Sequence, residues 1–256
     1  MRPIKLNIGL IFCLIGLVMV NSGFAADTIE IVKAEGGVTV SDKPEGKQKS
    51  VATKSTLSAS NVISTGANGR AVVRVGNTGY IVLEKNSKVE INNSNDHAGF
   101  FRQLTGMVYY AVNTIKGKDR TLEVRTKTAT MGIRGTRFLV ADIPERNEIG
   151  MRKGMLSVLS PDEEFEIHKK SEQDEFEALK REGQAAVNKE KSDFDAYKEN
   201  TQHEFVEYKR EFTLGADRMV SFDGKRVDDR PLSGETKKDM ETLESYAEEW
   251  LNKVQD

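Results

Sequence analysis

Thr126-Lys-Thr-Ala-Thr-Met-Gly-Ile-Arg-Gly-Thr-Arg-Phe-Leu-Val140 is the stretch that decides how the chain folds. Leu122-Glu-Val-Arg-Thr-Lys-Thr128 leads into it as a strand, and Thr136-Arg-Phe-Leu-Val140 leaves it as another. Gly132 and Gly135, three apart, ask for a backbone that bends sharply or reaches positive φ, where a side chain would clash. Between them Ile133 and Arg134 point to opposite sides, one inward and one outward. The stretch is therefore a corner between two short strands. A lone arginine without a base, nucleophile or metal ligand gives it no chemistry.

Outward from this corner the same grammar repeats from Asp27 to Pro161. Ile29-Glu-Ile-Val, Val38-Thr-Val, Val62-Ile-Ser, Ala71-Val-Val-Arg-Val, Tyr80-Ile-Val-Leu, Lys88-Val-Glu-Ile and Met107-Val-Tyr-Tyr-Ala-Val are short β runs. Turn clusters such as Gly36-Gly37, Gly66-Ala-Asn-Gly69 and Gly76-Asn-Thr-Gly79 separate them. The region reads as all-β, and a sandwich, a barrel or a short solenoid fits it.

The order of these runs resembles the FecR domain. The resemblance is carried by Gly37-Val-Thr-Val40, Leu57 to Gly66, Ala71 to Val75, Ile81-Val-Leu83, Val89-Glu-Ile91, Leu104-Thr-Gly-Met-Val108, Val124 to Ala129 and Arg134-Gly-Thr-Arg-Phe138. Glu148 to Val158 resembles its closing strand, and Gly132-Ile-Arg-Gly-Thr-Arg-Phe138 is the most specific part. Lys127 stands where the family usually has proline, Asn77-Thr78 where it has Asp-Gly, and Ala59-Ser60 where Gly-Asp is typical. These changes alter turn chemistry and leave the strand order intact. The resemblance implies a β-solenoid-like or sandwich-like extracytoplasmic module used in binding and signalling. Within it Gly132, Arg134, Gly135, Thr136 and Phe138 form a structural motif and a candidate partner contact.

Beyond Pro161 the composition turns to Glu, Lys and Asp. Phe165, Phe176, Phe194 and Phe205 recur at spacings of 11, 18 and 11. Since these are close to three and five helical turns, the spacing predicts one amphipathic helix over 162–212, or two broken near Gly183, with a phenylalanine stripe. The stripe needs a partner, either within the chain, the favoured reading, or in a second copy as a coiled coil. After it, Met219-Val-Ser-Phe222 and Lys225-Arg-Val227 flank Asp223-Gly224 as a hairpin. A helix follows from Ser233 or Thr236 to Val254, with Met240, Leu243, Tyr246, Ala247, Trp250 and Leu251 at helical spacing. Residues 213–256 are thus expected to pack on the β domain of residues 27–161, with Trp250 as an anchor.

Charge divides the same way. Residues 27–161 hold 20 Lys/Arg against 13 Asp/Glu, residues 162–212 hold 9 against 16, and residues 213–256 hold 7 against 11. A basic β module is thereby joined to acidic segments. Met1 to Ala26 reads as a secretory signal. It has Arg2 and Lys5, an apolar run from Leu6 to Val20 of about 15 residues, and small residues that predict cleavage after Ala25 or Ala26. Bulky Phe12 before Cys13, the only cysteine, argues against lipidation there and leaves a mature chain without thiol chemistry.

His97, His168 and His203 are far apart and read as surface imidazoles, and Asp228-Asp229 as a lone acidic pair in a loop. No phosphate loop or nucleophile elbow occurs. The expectation is a protein that is no enzyme and takes no metal or cofactor. It is periplasmic or secreted, keeps no membrane span once the signal is cleaved, and binds an envelope protein or glycan rather than nucleic acid. The alternative is a structural scaffold that oligomerises through the long helix. Anti-sigma regulation, which some relatives perform, needs a cytoplasmic segment before a membrane helix, and only Met1 to Lys5 precede the apolar run.

Overall fold

A computed structural model describes residues 28–51, 53–92, 99–113, 122–169 and 205–253. In chain order the strands are β1 (Ile29–Glu35), β2 (Val38–Ser41), β3 (Lys49–Ser50), β4 (Ser55–Leu57), β5 (Val62–Thr65), β6 (Arg70–Val75), β7 (Gly79–Leu83), β8 (Lys88–Asn92), β9 (Gly99–Val112) and β10 (Leu122–Arg125). Then come β11 (Thr130–Ile133), β12 (Arg137–Ile143), β13 (Arg146–Lys153), β14 (Met155–Leu159), β15 (Phe165–Lys169), β16 (Phe205–Lys209), β17 (Glu211–Gly215), β18 (Arg218–Asp223) and β19 (Arg226–Pro231). One helix, α1 (Gly234–Lys253), follows them.

The strands lie in two layers. One runs β4-β1-β6-β7-β9-β12-β13-β18-β19-β15-β16 and is parallel only at β19–β15. The other runs β3-β2-β5-β8-β9-β10-β11-β14-β17 and is parallel only at β9–β10. Strand β9 belongs to both. It bends at Gly106, whose φ is +99° and where a Cβ would fall onto the Ser87 backbone.

Sequence parity explains which layer is which. In the second layer Leu122-Glu-Val-Arg125 and Leu156-Ser-Val158 alternate, so one face is buried and the other is left outward. In the first layer Ala71-Val-Val73, Ile81-Val-Leu83 and Val108-Tyr-Tyr-Ala-Val112 are buried at every position. Ala71, Val73, Ile81, Leu83, Val108 and Val112, with Ile31, Tyr110 and Phe138, pack between the layers. Val72, Val82, Tyr109 and Leu139 face the other way, under Met240, Leu243 and Ala247 of α1. The first layer is therefore covered twice, and it is called the helix-side layer below.

Helix α1 starts where Ser233 Oγ accepts the Thr236 N–H at 3.1 Å, an N-cap bond. It lies close over β13. A Cβ on Gly150 would come within 3.0 Å of Thr236, Met240 and Leu232 side-chain atoms. Arg137 and Arg152 both reach Glu244, at 3.3 and 2.9 Å. Tyr246 donates to Glu35 at 2.8 Å, the Arg70 guanidinium lies 4.8 Å from its ring, and Lys33 Nζ sits 3.7 Å from the Trp250 ring. The terminal helix and the hairpin before it stand as expected.

The long helix over 162–212 is corrected at both ends. Phe165–Lys169 and Phe205–Lys209 are antiparallel strands β15 and β16, with Phe165 opposite Lys209 and Lys169 opposite Phe205. Residues 211–215 are strand β17. Phe165 is buried and meets Phe212 and Phe222 at 5.6 and 5.8 Å between ring centroids. Phe165 and Phe205 thus share no helical stripe, and Phe176 and Phe194 lie outside the described residues. The reason is local period. Glu164-Phe-Glu-Ile-His alternates charged and apolar residues, which suits a half-buried strand whatever the distance to the next repeat. The strands after Pro161 extend the same two layers. The predicted leader also lies outside the described residues.

Phe165→Ala is expected to remove about 3–5 kcal/mol of stability, as for other enclosed phenylalanines. Tyr208→Phe, on the exposed face of β16, should stay within about 0.5 kcal/mol. Urea denaturation of the two variants checks this.

The tyrosines on and under α1 give a pH dependence. Burial first, then the nearby Glu244 carboxylate, pushes Tyr80 from 10.0 up to about 12. Burial and Glu244 raise Tyr109 as well, and burial and the bond to Glu35 raise Tyr246. A folded-state value above the unfolded one means that the folded chain holds the proton longer. The contribution is complete below pH 10.0 and is lost as pH rises through about 12 for Tyr80. The denaturation midpoint should fall across that window, and Tyr80→Phe should make the fall shallower.

Candidate functional site

The corner is real and divides the motif in two. Residues 134–136 carry the chain from β11, in the outer layer, to β12, in the helix-side layer. Gly135 has φ +69°. The reverse crossing, from β13 to β14, turns at Gly154 with φ +91°. A Cβ there would lie 2.6 Å from the Gly135 carbonyl oxygen and 3.0 Å from Thr136 Cγ2. The two crossings pass back to back with no room for a side chain between them. Thr136 is buried, and its carbonyl accepts the Val112 N–H at 2.9 Å. Phe138 stacks on Tyr110 with centroids 4.9 Å apart and planes at 12°. The Tyr110 hydroxyl donates to Gln103 at 3.0 Å, and Gln103 Nε2 donates to the carbonyls of Gly106 and Val140. Gly135, Thr136 and Phe138 therefore serve the fold.

Gly132 and Arg134 look outward. Gly132 has no positive φ, and a Cβ on it would meet only Ser157 Cβ, at 3.8 Å. It lies mid-row on the outer layer, where Glu123, Gly132, Ser157 and Thr213 stand side by side on β10, β11, β14 and β17. The next row on the same face is Arg102, Arg125, Thr130, Leu159 and Glu211. Glu123 accepts two bonds from Arg125 at 3.0 and 3.1 Å, Glu90 pairs with Arg102, and Ser157 donates to Glu211. Met155 is 69% exposed and Leu159 38%, both on this face. Charge pairs flanking exposed aliphatics are the surface on which proteins dock.

A second polar feature lies at the start of α1. Arg146 donates to Glu148 at 3.0 and 2.6 Å, to Asp239 at 2.8 Å and to Thr236 at 3.2 Å. Glu148 is buried and also accepts from Thr236 Oγ1 at 3.1 Å. Burial works against the Arg146 charge, but the bonds to Asp239 and Glu148 outweigh it and hold the group above its ordinary value. The cleft of about 690 Å³ beside it is walled by Pro144, Asn147, Ser221, Arg230 and Ser233. Its charges are spent on clamping helix to sheet.

These ion pairs were legible in one signal that spacing arguments passed over. Opposite charges two apart share a strand face, as in Glu123/Arg125, Arg146/Glu148, Glu207/Lys209 and Arg226/Asp228. His168 is corrected from a surface position. It is buried in β15 and bonds Glu166 at 2.9 Å. His97 and His203 lie outside the described residues. Asp228 and Asp229 are on strand β19 rather than in a loop, paired with Arg226 and Arg218 respectively. Among the described residues, no three His, Cys, Asp or Glu side chains converge to hold a metal ion, and no helix is long and apolar enough to cross a membrane.

Residues 61–157 match the family model described as FecR protein. Two crystal structures of a candidate anti-sigma factor from Parabacteroides distasonis ATCC 8503 match part of the chain, each at 11% identity, with TM-scores of 0.44 and 0.43. The alignments cover 69% of this chain and 62% of the other, so the chain spans less than two thirds of their length. No curated protein matches in sequence.

The two glycines of the corner should respond differently to substitution. Gly135→Val is expected to cost about 2 kcal/mol or more, from backbone strain at a left-handed position. Gly132→Ala should change stability by less than about 0.5 kcal/mol, as for an open surface site. Thermal melting of both variants separates the structural glycine from the surface one.

Proposed function

We propose that this chain, whose residues 61–157 form a FecR domain, is an exported, non-catalytic binding module that recognises an envelope protein in signalling or envelope assembly. The reading rests on one observation. The helix-side layer is covered by α1, while the outer face of the other layer carries exposed Met155 and Leu159 beside Gly132 and a ladder of charge pairs. Aliphatic side chains framed by salt-bridged rows are what a protein partner buries, and the charged rows fix its orientation. Gly132 keeps the middle of the face flat, so a partner backbone can approach closely. The predicted leader and the absence of cysteine after Cys13 support an exported chain held together by its core.

The purified protein, used as bait, should retain a partner from envelope extract and not from cytoplasmic extract. Met155→Asp together with Leu159→Asp should abolish that capture while the melting temperature stays put. Retention undiminished by the double variant would overturn this face as the binding site.

A further inference from the structure

Strand β16 forms the far edge of the helix-side layer, and among the described strands it pairs only with β15. The opposite edge of that layer is β4, three residues long, and the first edge of the outer layer is β3, two residues long. Short edges of that kind resist pairing with other chains. Strand β16 is five residues long and has no proline. Its outer face carries Val206 at 38% and Tyr208 at 64% exposure.

Backbone direction along this edge follows from its neighbours. Glu166 donates its N–H to Lys225, towards β19, so Phe165, Ile167 and Lys169 direct theirs at β16. Their partners Lys209, Glu207 and Phe205 answer them. The N–H and C=O groups of Val206 and Tyr208 then point away from β15, to the side where no described strand pairs with them.

We propose that β16 pairs antiparallel with β16 of a second copy of this chain, about a two-fold axis at Tyr208. Tyr208 exchanges both backbone bonds with its own copy, and the two rings meet on the outer face. In this register Glu207 of each chain stands across from Lys209 of the other, so the inward face is charge-complementary on both sides of the axis. A two-fold contact of this kind uses the same patch twice and closes on itself, giving a dimer and not a fibre. Glu207 already bonds Lys169, at 2.9 Å, and Lys209 within one chain, and these lysines hold its carboxyl below the ordinary value. Its charge is thus in place before the copies meet. Cross-strand aromatic and opposite-charge pairs are what stabilise such a ladder.

Sedimentation equilibrium of the purified protein should give twice the chain mass. Tyr208→Pro removes a donor directed away from β15, a position where an edge strand tolerates proline, and should give a monomer that keeps the native circular-dichroism spectrum. Glu207→Arg places like charges across the axis and should weaken the dimer about tenfold or more. Adding Lys209→Glu to it should restore the dimer, since the pair is only exchanged. A protein that is monomeric at every concentration, or a dimer that ignores both the proline and the charge exchange, would overturn the proposal.

Discussion

A β-strand presents side chains on two faces, so a strand that is apolar at consecutive positions must be covered twice. That constraint organises this protein. The helix-side layer has such strands at β6, β7, β9 and β12, and leaving either face in water would expose several large apolar side chains at once. One face is closed by the outer layer and the other by α1, the last of the described elements. The helix is an obligatory third layer. Its low mean hydropathy is no obstacle, because a stripe of Met240, Leu243 and Ala247 suffices where Gly150 lets the backbones come close.

The two-layer core also dictates the corners. Each crossing between layers turns the chain sharply over a few residues, and the crossings at Gly135 and Gly154 touch one another. What resembles a signature motif is, for Gly135, Thr136 and Phe138, the geometry of that contact and of the ring stack behind it. The motif's outward half, Gly132 and Arg134, belongs instead to a face with few packing demands. Such a face is free to carry recognition.

Electrostatics follow the same division. Where the layers meet the helix, Arg146, Arg137 and Arg152 are held by Glu148, Asp239 and Glu244 in partly buried clusters, which lock the helix in one position. On the outer layer the pairs lie along the surface, where each contributes little to stability and more to selectivity. The basic balance of the β region therefore reflects helix-facing arginines as well as a charged outer face.

Local sequence alone determined the β character of the described residues between 29 and 159, the corner at Gly132 to Gly135, the Asp223-Gly224 hairpin and the terminal helix with its buried stripe. Each depends on a period of two, a period of 3.6 or a turn residue, and such signals act within one element. The alternation in Glu164-Phe-Glu-Ile-His was equally local, but the longer spacing of the phenylalanines competed with it and suggested a helix. Only tertiary structure decided that contest, because Phe165 gains its burial from Phe212 and Phe222, strands away in sequence. Tertiary structure also decided which glycine is needed for a turn and which leaves a surface flat. It placed the outward rows of β10, β11 and β14 on one face, since strand register is set by pairing between segments and no segment carries it alone.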